Sequence, residues 1–222
     1  MSRQLNLKEA ERRAWRSVFQ DGLWDIYLGI LLLAMGIGDL LDGLNLSKVS
    51  YYTIYFGVIA IGFLVLWAGK RFITLPRLGR VKFGQKGRSR RTKIRLVLFA
   101  SVSLGLLLWF LADAVNKGGF GSRVMWDVIF PLVYILNMLL VFGLGAYFLD
   151  YPRLYVIAVL FAVPVPLQIL LRRLTGSSEA FYTFAVPAIL ILGMGLVCLV
   201  HFIRSYPVAN IPEMEAGHGA GN

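Results

Sequence analysis

Residues 23–44 read LWDIYLGILLLAMGIGDLLDGL, a run whose only charges are Asp25, Asp39 and Asp42. Wound as a helix at about 1.5 Å per residue, a run of this length matches a bilayer hydrocarbon core roughly 30 Å thick. A membrane barrel would instead show short segments of alternating polarity. The stretch reads as a membrane-spanning helix, and it sets the fold class as all-α.

Five further windows of the same character follow at 50–69, 96–115, 128–149, 154–171 and 181–203. The expectation is a polytopic membrane protein with six transmembrane helices forming one domain over 23–204, preceded by segment 1–22 and followed by tail 205–222. Composition agrees, with 58% hydrophobic residues, 16% charged residues and a mean hydropathy of +0.69. An ordinary soluble domain is about 45–50% apolar, so disordered and ordinary soluble proteins are excluded. One cysteine, Cys198, and two histidines leave no internal disulfide and no usual Cys/His zinc site.

Orientation follows from the Lys and Arg bias of short loops. With the N-terminus inside, 18 of the 23 basic residues fall on inner segments: Arg3, Lys8, Arg12, Arg13 and Arg16, the 70–95 loop, Arg153 and Arg204. Both termini are expected to be cytoplasmic, and no removable signal peptide precedes the first span. Span five ends on Arg172 and Arg173 at the outer side and contains Pro164 and Pro166. Proline removes a helix donor, yet membrane helices tolerate it where neighbours satisfy the freed carbonyl, so a kinked span is expected.

Residues 6–20 read either as an amphipathic helix on the inner surface or as an extension of span one, with Asn6 and Glu9 as a cap and Leu7, Ala14, Trp15, Val18 and Phe19 on one face. The 70–95 loop, KRFITLPRLGRVKFGQKGRSRRTKIR, has eleven basic residues and no acidic one. Pro76-Arg77-Leu78-Gly79 suits a β-turn within it, which would make a small basic hairpin. The tail after Arg204 is expected to be poorly ordered.

Span one carries the most regular pattern. Gly22, Gly29, Gly36 and Gly43 fall seven apart and form one stripe, a face that lets another helix approach closely. Asp25 and Asp39 flank the stripe near its two ends. They are either acidic gates of a polar path or carboxylates bonded to loop arginines or headgroups. Asn137 in span four lies near mid-membrane, where its amide lines a cavity or joins another helix. Trp24-Asp25 and Lys70-Arg71 recur as Trp126-Asp127 and Arg172-Arg173 at an offset of 102, a weak sign of an inverted repeat.

No phosphate-binding loop, HExxH motif or nucleophile elbow is present. No catalytic, cofactor-binding or metal-ligating set stands out, so an enzyme is not expected. Arg77, Arg80, Lys82, Lys86, Arg88, Arg90, Arg91 and Lys93 are candidates for contact with anionic headgroups or a protein partner, each basic residue near such a surface contributing about 1 kcal/mol. Only Phe72 and Phe83 interleave them as stacking groups, so nucleic acid is not an expected partner.

At QDGLWDI (20–26) and ITLPRLGRV (73–81) the chain resembles a group of uncharacterised prokaryotic integral membrane proteins. The resemblance covers the first 95 residues and implies a prokaryotic cytoplasmic membrane, without a substrate or a catalytic residue. The functional expectation is an accessory or interaction subunit whose basic inner face engages anionic lipid or a cytoplasmic protein partner, with a homo-oligomer as the other form of assembly. The alternative is a small permease whose path is lined by spans one and four.

Overall fold

The computed structural model describes residues 19–44, 46–78, 92–93, 95–107, 110, 128–176 and 180–207, with the side chains of Asp39, Asp42, Leu78 and Ala180 excepted. Seven helices are labelled in chain order: α1 (Leu23–Asp42), α2 (Lys48–Gly69), α3 (Arg95–Leu107), α4 (Phe130–Leu149), α5 (Arg153–Ala162), α6 (Pro164–Thr175) and α7 (Ala180–Ser205). No strand occurs among the described residues.

Among the described residues four helical stretches are long and apolar enough to cross a membrane: Lys48–Arg77, Phe130–Leu149, Arg153–Thr175 and Phe181–Ser205. Leu23–Gly38 and Arg95–Leu107 are shorter apolar helices. The amphipathic N-terminal helix, most of the basic loop and the tail from residue 208 onward lie outside the described residues.

Helix α2 does not stop at residue 69. A π-helical segment, Lys70–Thr74, carries it into a last turn at Leu75–Leu78, so the hairpin expected around Pro76 is replaced by helix. In a regular helix the Pro76 ring would meet the carbonyl four residues back. The wide turn directly before it, closed by the Leu75 amide on the Lys70 carbonyl, is where that conflict is relieved.

Span five is interrupted as its prolines require. α5 gives way to α6 at Val163, which keeps a right-handed helical backbone (φ −73°, ψ −39°). The amide of Val163 donates to the Val159 carbonyl and its carbonyl accepts from Leu167. Near this break the Tyr134 hydroxyl of α4 donates to the Phe161 carbonyl at 2.9 Å.

The core is built from α1, α4, α5 and α7, with Leu32, Ala146, Ile157, Phe161, Phe184, Ala188 and Ile191 buried together. A smaller cluster of Leu23, Ile26 and Leu66 joins α1 to α2. Apolar side chains of α2 and α3 such as Phe56, Phe63, Phe99 and Val102 point outward. In water such a surface would be unfavourable, whereas in lipid it is the ordinary exterior.

Four separated pieces of chain meet at one end of the bundle. They are the start of α1, the end of α2, the α4–α5 corner and the end of α7. Lys70 bonds Asp21, Phe19 stacks on Tyr151 at 5.4 Å between ring centroids, and Lys93 lies 5.5 Å above the Phe148 ring. This is called the basic end below.

Candidate functional site

Two carboxylates one helical turn apart, Asp21 and Asp25, are fully buried at the basic end. Asp21 precedes α1, and its Oδ1 accepts the Leu23 amide at 3.2 Å, an aspartate turn that satisfies a free donor of the helix start. Its Oδ2 accepts from the Lys70 ammonium at 2.5 Å and from the Thr74 hydroxyl at 2.6 Å. Lys70 and Thr74 bound the π segment of α2, so the irregular turn places both donors on one oxygen.

Between these carboxylates Gly22 takes a left-handed backbone, φ +72°. A Cβ there would run into the Gly195 carbonyl and the Cys198 side chain of α7. Both the turn and the close approach of α7 therefore need a glycine at this position.

Asp25 is held from the other side of the bundle. Its Oδ1 accepts the Tyr151 hydroxyl, and its Oδ2 lies 2.9 Å from Arg153 Nη1. The latter contact is an ion pair without hydrogen-bond alignment. Arg153 also donates from Nη2 to the Phe19 carbonyl at 2.6 Å, so one guanidinium ties α1 and the backbone ahead of it to α5.

The α4–α5 corner sets up these partners locally. Asp150 ends α4 in the left-handed region (φ 56°, ψ 44°), which short polar residues tolerate better than most. The Tyr151 amide then closes on the Ala146 carbonyl at 3.0 Å, and Pro152 opens α5. Tyr151 is thereby turned inward beside Phe19, and Arg153 follows at the first position of the helix.

A buried carboxylate in a membrane bundle is costly unless it is paired. Both aspartates are paired, each by a cation and a hydroxyl drawn from a different helix. The arrangement is two parallel clamps holding the start of α1. Among the described residues no three of His, Cys, Asp and Glu gather as a metal ion would require.

Beside the clamps an open groove of about 1140 Å³ is bounded by α4, α5 and α7. Its floor includes the buried Tyr151 and Phe202, and Lys93, Asp150, Arg153 and His201 line it.

The chain matches no family model, no curated protein and no solved structure. What it does must be argued from its own residues.

The glycine stripe faces α7. A Cβ on Gly29 would lie 2.7 Å from Leu192 Cγ, and one on Gly36 would lie 2.8 Å from Phe184 Cβ. Gly195 of α7 returns the contact, since a Cβ there would come within 2.8 Å of the Ile26 amide nitrogen. Gly43 lies beyond the contact and tolerates a Cβ at ordinary distance. At Gly22, Gly29 and Gly36 the stripe is thus filled by a helix.

Asn137 donates to the Ser101 hydroxyl at 3.1 Å, joining α4 to α3. Arg77 turns back to donate to the Ile73 carbonyl at 2.9 Å. The side chain of Asp39 and residues Arg80, Lys82, Lys86, Arg88, Arg90 and Arg91 lie outside the described residues, as do Trp126 and Asp127 of the 102-residue offset. Sequence reasoning missed Asp21, Lys70, Thr74, Tyr151 and Arg153 as a set. The available signals were the four-residue spacing of Asp21 and Asp25 and the helix stop at Asp150-Tyr151-Pro152-Arg153.

Proposed function

We propose that this chain is a six-span protein of a prokaryotic cytoplasmic membrane, with both termini inside, that serves as an accessory subunit. Its basic inner face lies on anionic lipid of the inner leaflet and offers a docking surface to a cytoplasmic partner. The observation that carries the reading is the convergence of the α1 start, the α2 end, the α4–α5 corner and the α7 end.

Those are the segments that a six-span chain with its N-terminus inside would bring to the inner side. They carry Lys70, Arg71, Arg77, Lys93, Arg95, Arg153 and Arg204, and they adjoin the remaining cations of the 70–95 loop. Helices α1 and α3 complete the six spans in this arrangement. The clamps at Asp21 and Asp25 support a structural use of these carboxylates, which leaves the excess positive charge as the main chemical feature. Transport beside the glycine stripe is the weaker reading, because α7 fills that stripe at three of its glycines.

Purification in a gentle detergent, followed by mass spectrometry of what remains bound, tests the proposal. A stoichiometric protein partner that is lost when Arg88, Arg90 and Arg91 are changed to Gln is the expected result. A homogeneous homo-oligomer with no protein partner, unaffected by these changes, would overturn it.

A further inference from the structure

The groove at the basic end is not explained by a docking role of the 70–95 loop. We propose that it is a binding site for one anionic phospholipid, with the phosphate at Lys93 and the glycerol and upper acyl chains running out between α4, α5 and α7. The proposal rests on the membrane orientation given above and adds a defined site to it.

Three features choose this occupant. First, the groove is two-faced. Tyr147, Tyr155 and Val197 line it yet are 71%, 50% and 71% exposed, so its wall continues without a break onto the apolar outside of the bundle. A soluble anion has no use for that wall, whereas acyl chains do.

Second, the charge is placed at the other edge. The exposed Lys93 ammonium stands over the Phe148 ring, within reach of the groove. Arg153 is occupied by Asp25 and the Phe19 carbonyl and contributes field more than a direct bond. Asp150 is the one carboxylate among the described lining residues and Asp25 already neutralises Arg153, so the anion is held at Lys93 itself. Basic pockets between transmembrane helices on the inner side are the recurring place for anionic headgroups.

Third, the size fits. A pocket for a drug-sized molecule is about 300–1,000 Å³, and this groove, at about 1140 Å³, has room for a headgroup with the first part of its chains.

The test is native mass spectrometry of the full chain in gentle detergent, titrated with phosphatidylglycerol or phosphatidylcholine. One phosphatidylglycerol per chain should be retained in preference to phosphatidylcholine. Lys93→Gln should weaken retention about five-fold, the equivalent of one cation near an anionic headgroup. Val197→Trp, an exposed site where bulk should not disturb folding, should block it. The Arg88, Arg90 and Arg91 to Gln variant should retain the lipid even where it loses a protein partner, which separates failure of this site from failure of the docking role. Equal retention of both lipids, insensitivity to Lys93→Gln and Val197→Trp, loss of the lipid in the loop variant, or displacement by excess inorganic phosphate would each overturn the proposal.

Discussion

Arg153 reaches from the first turn of α5 to Asp25 in the first turn of α1, with Nη1 2.9 Å from Oδ2, while its Nη2 donates to the Phe19 carbonyl. One guanidinium thus fixes the position of α1 through a side chain and through the backbone ahead of it. The Asp21 clamp repeats the device one turn earlier with an ammonium from α2. Together they determine which helices flank α1 at this end, independently of how well their apolar faces match.

Removing one partner of a buried pair leaves the other charge uncompensated, at a cost of roughly 3–5 kcal/mol. Arg153→Ala should lower the thermal unfolding midpoint in detergent markedly, and Asp25→Asn should do so less because Tyr151 still has an oxygen to donate to. The double variant should be less destabilised than the two losses added together, by about 0.5–3 kcal/mol of coupling. Strict additivity would show that the pair is incidental.

The stripe of glycines makes a steric prediction. Gly29→Leu would drive its side chain into Leu192, and overpacking of this kind costs about 1–3 kcal/mol. Leu192→Ala in the same chain should restore part of the loss. Gly43→Ala, with no close neighbour to meet, should leave the unfolding midpoint where it was. A Gly43 variant as damaging as the Gly29 variant would remove close packing as the reason for the stripe.

How much of this was legible beforehand depends on the range of each signal. Helices and the glycine stripe repeat along the chain, so spacing alone reveals them. The identity of the helix on the stripe was not legible, because the face α7 turns to it mixes Gly195 with the bulky Phe184 and Leu192 and carries no glycine repeat of its own. Asp25 could be singled out, yet its partners could not, since Tyr151 and Arg153 belong to a corner whose inward turn depends on the left-handed Asp150. Asp21 and Lys70 were read as charges of flanking segments because each lies just outside an apolar window. The extension of α2 past Gly69 was hidden by Pro76, whose local preference for a turn gives way to a π segment.

Asn137 and Ser101 form a polar link between α4 and α3, and among the described residues of α3 Leu96, Phe99, Val102 and Leu106 are all exposed. Interhelical hydrogen bonds in membranes contribute about 0.6–2 kcal/mol. Asn137→Ala should therefore increase the protease sensitivity of the loop that precedes α3 while changing global unfolding little. Ser101→Ala should have the same effect, and the double variant should add nothing further. An additional loss in the double variant would mean that the two residues act separately.

The orientation of the bundle can be tested with two cysteines. In a Cys198→Ser background, Leu46→Cys lies ahead of α2 at the end away from the clamps, and Ser205→Cys lies at the end of α7 on the basic end. Both native residues are exposed, and neither change alters the charge that sets topology. An impermeant maleimide applied to intact cells should label Leu46→Cys and should reach Ser205→Cys only after the membrane is opened. The reverse pattern would turn the protein over and place the lipid groove in the outer leaflet. Labelling of both from one side would show that the two ends of the bundle do not lie on opposite faces of the membrane.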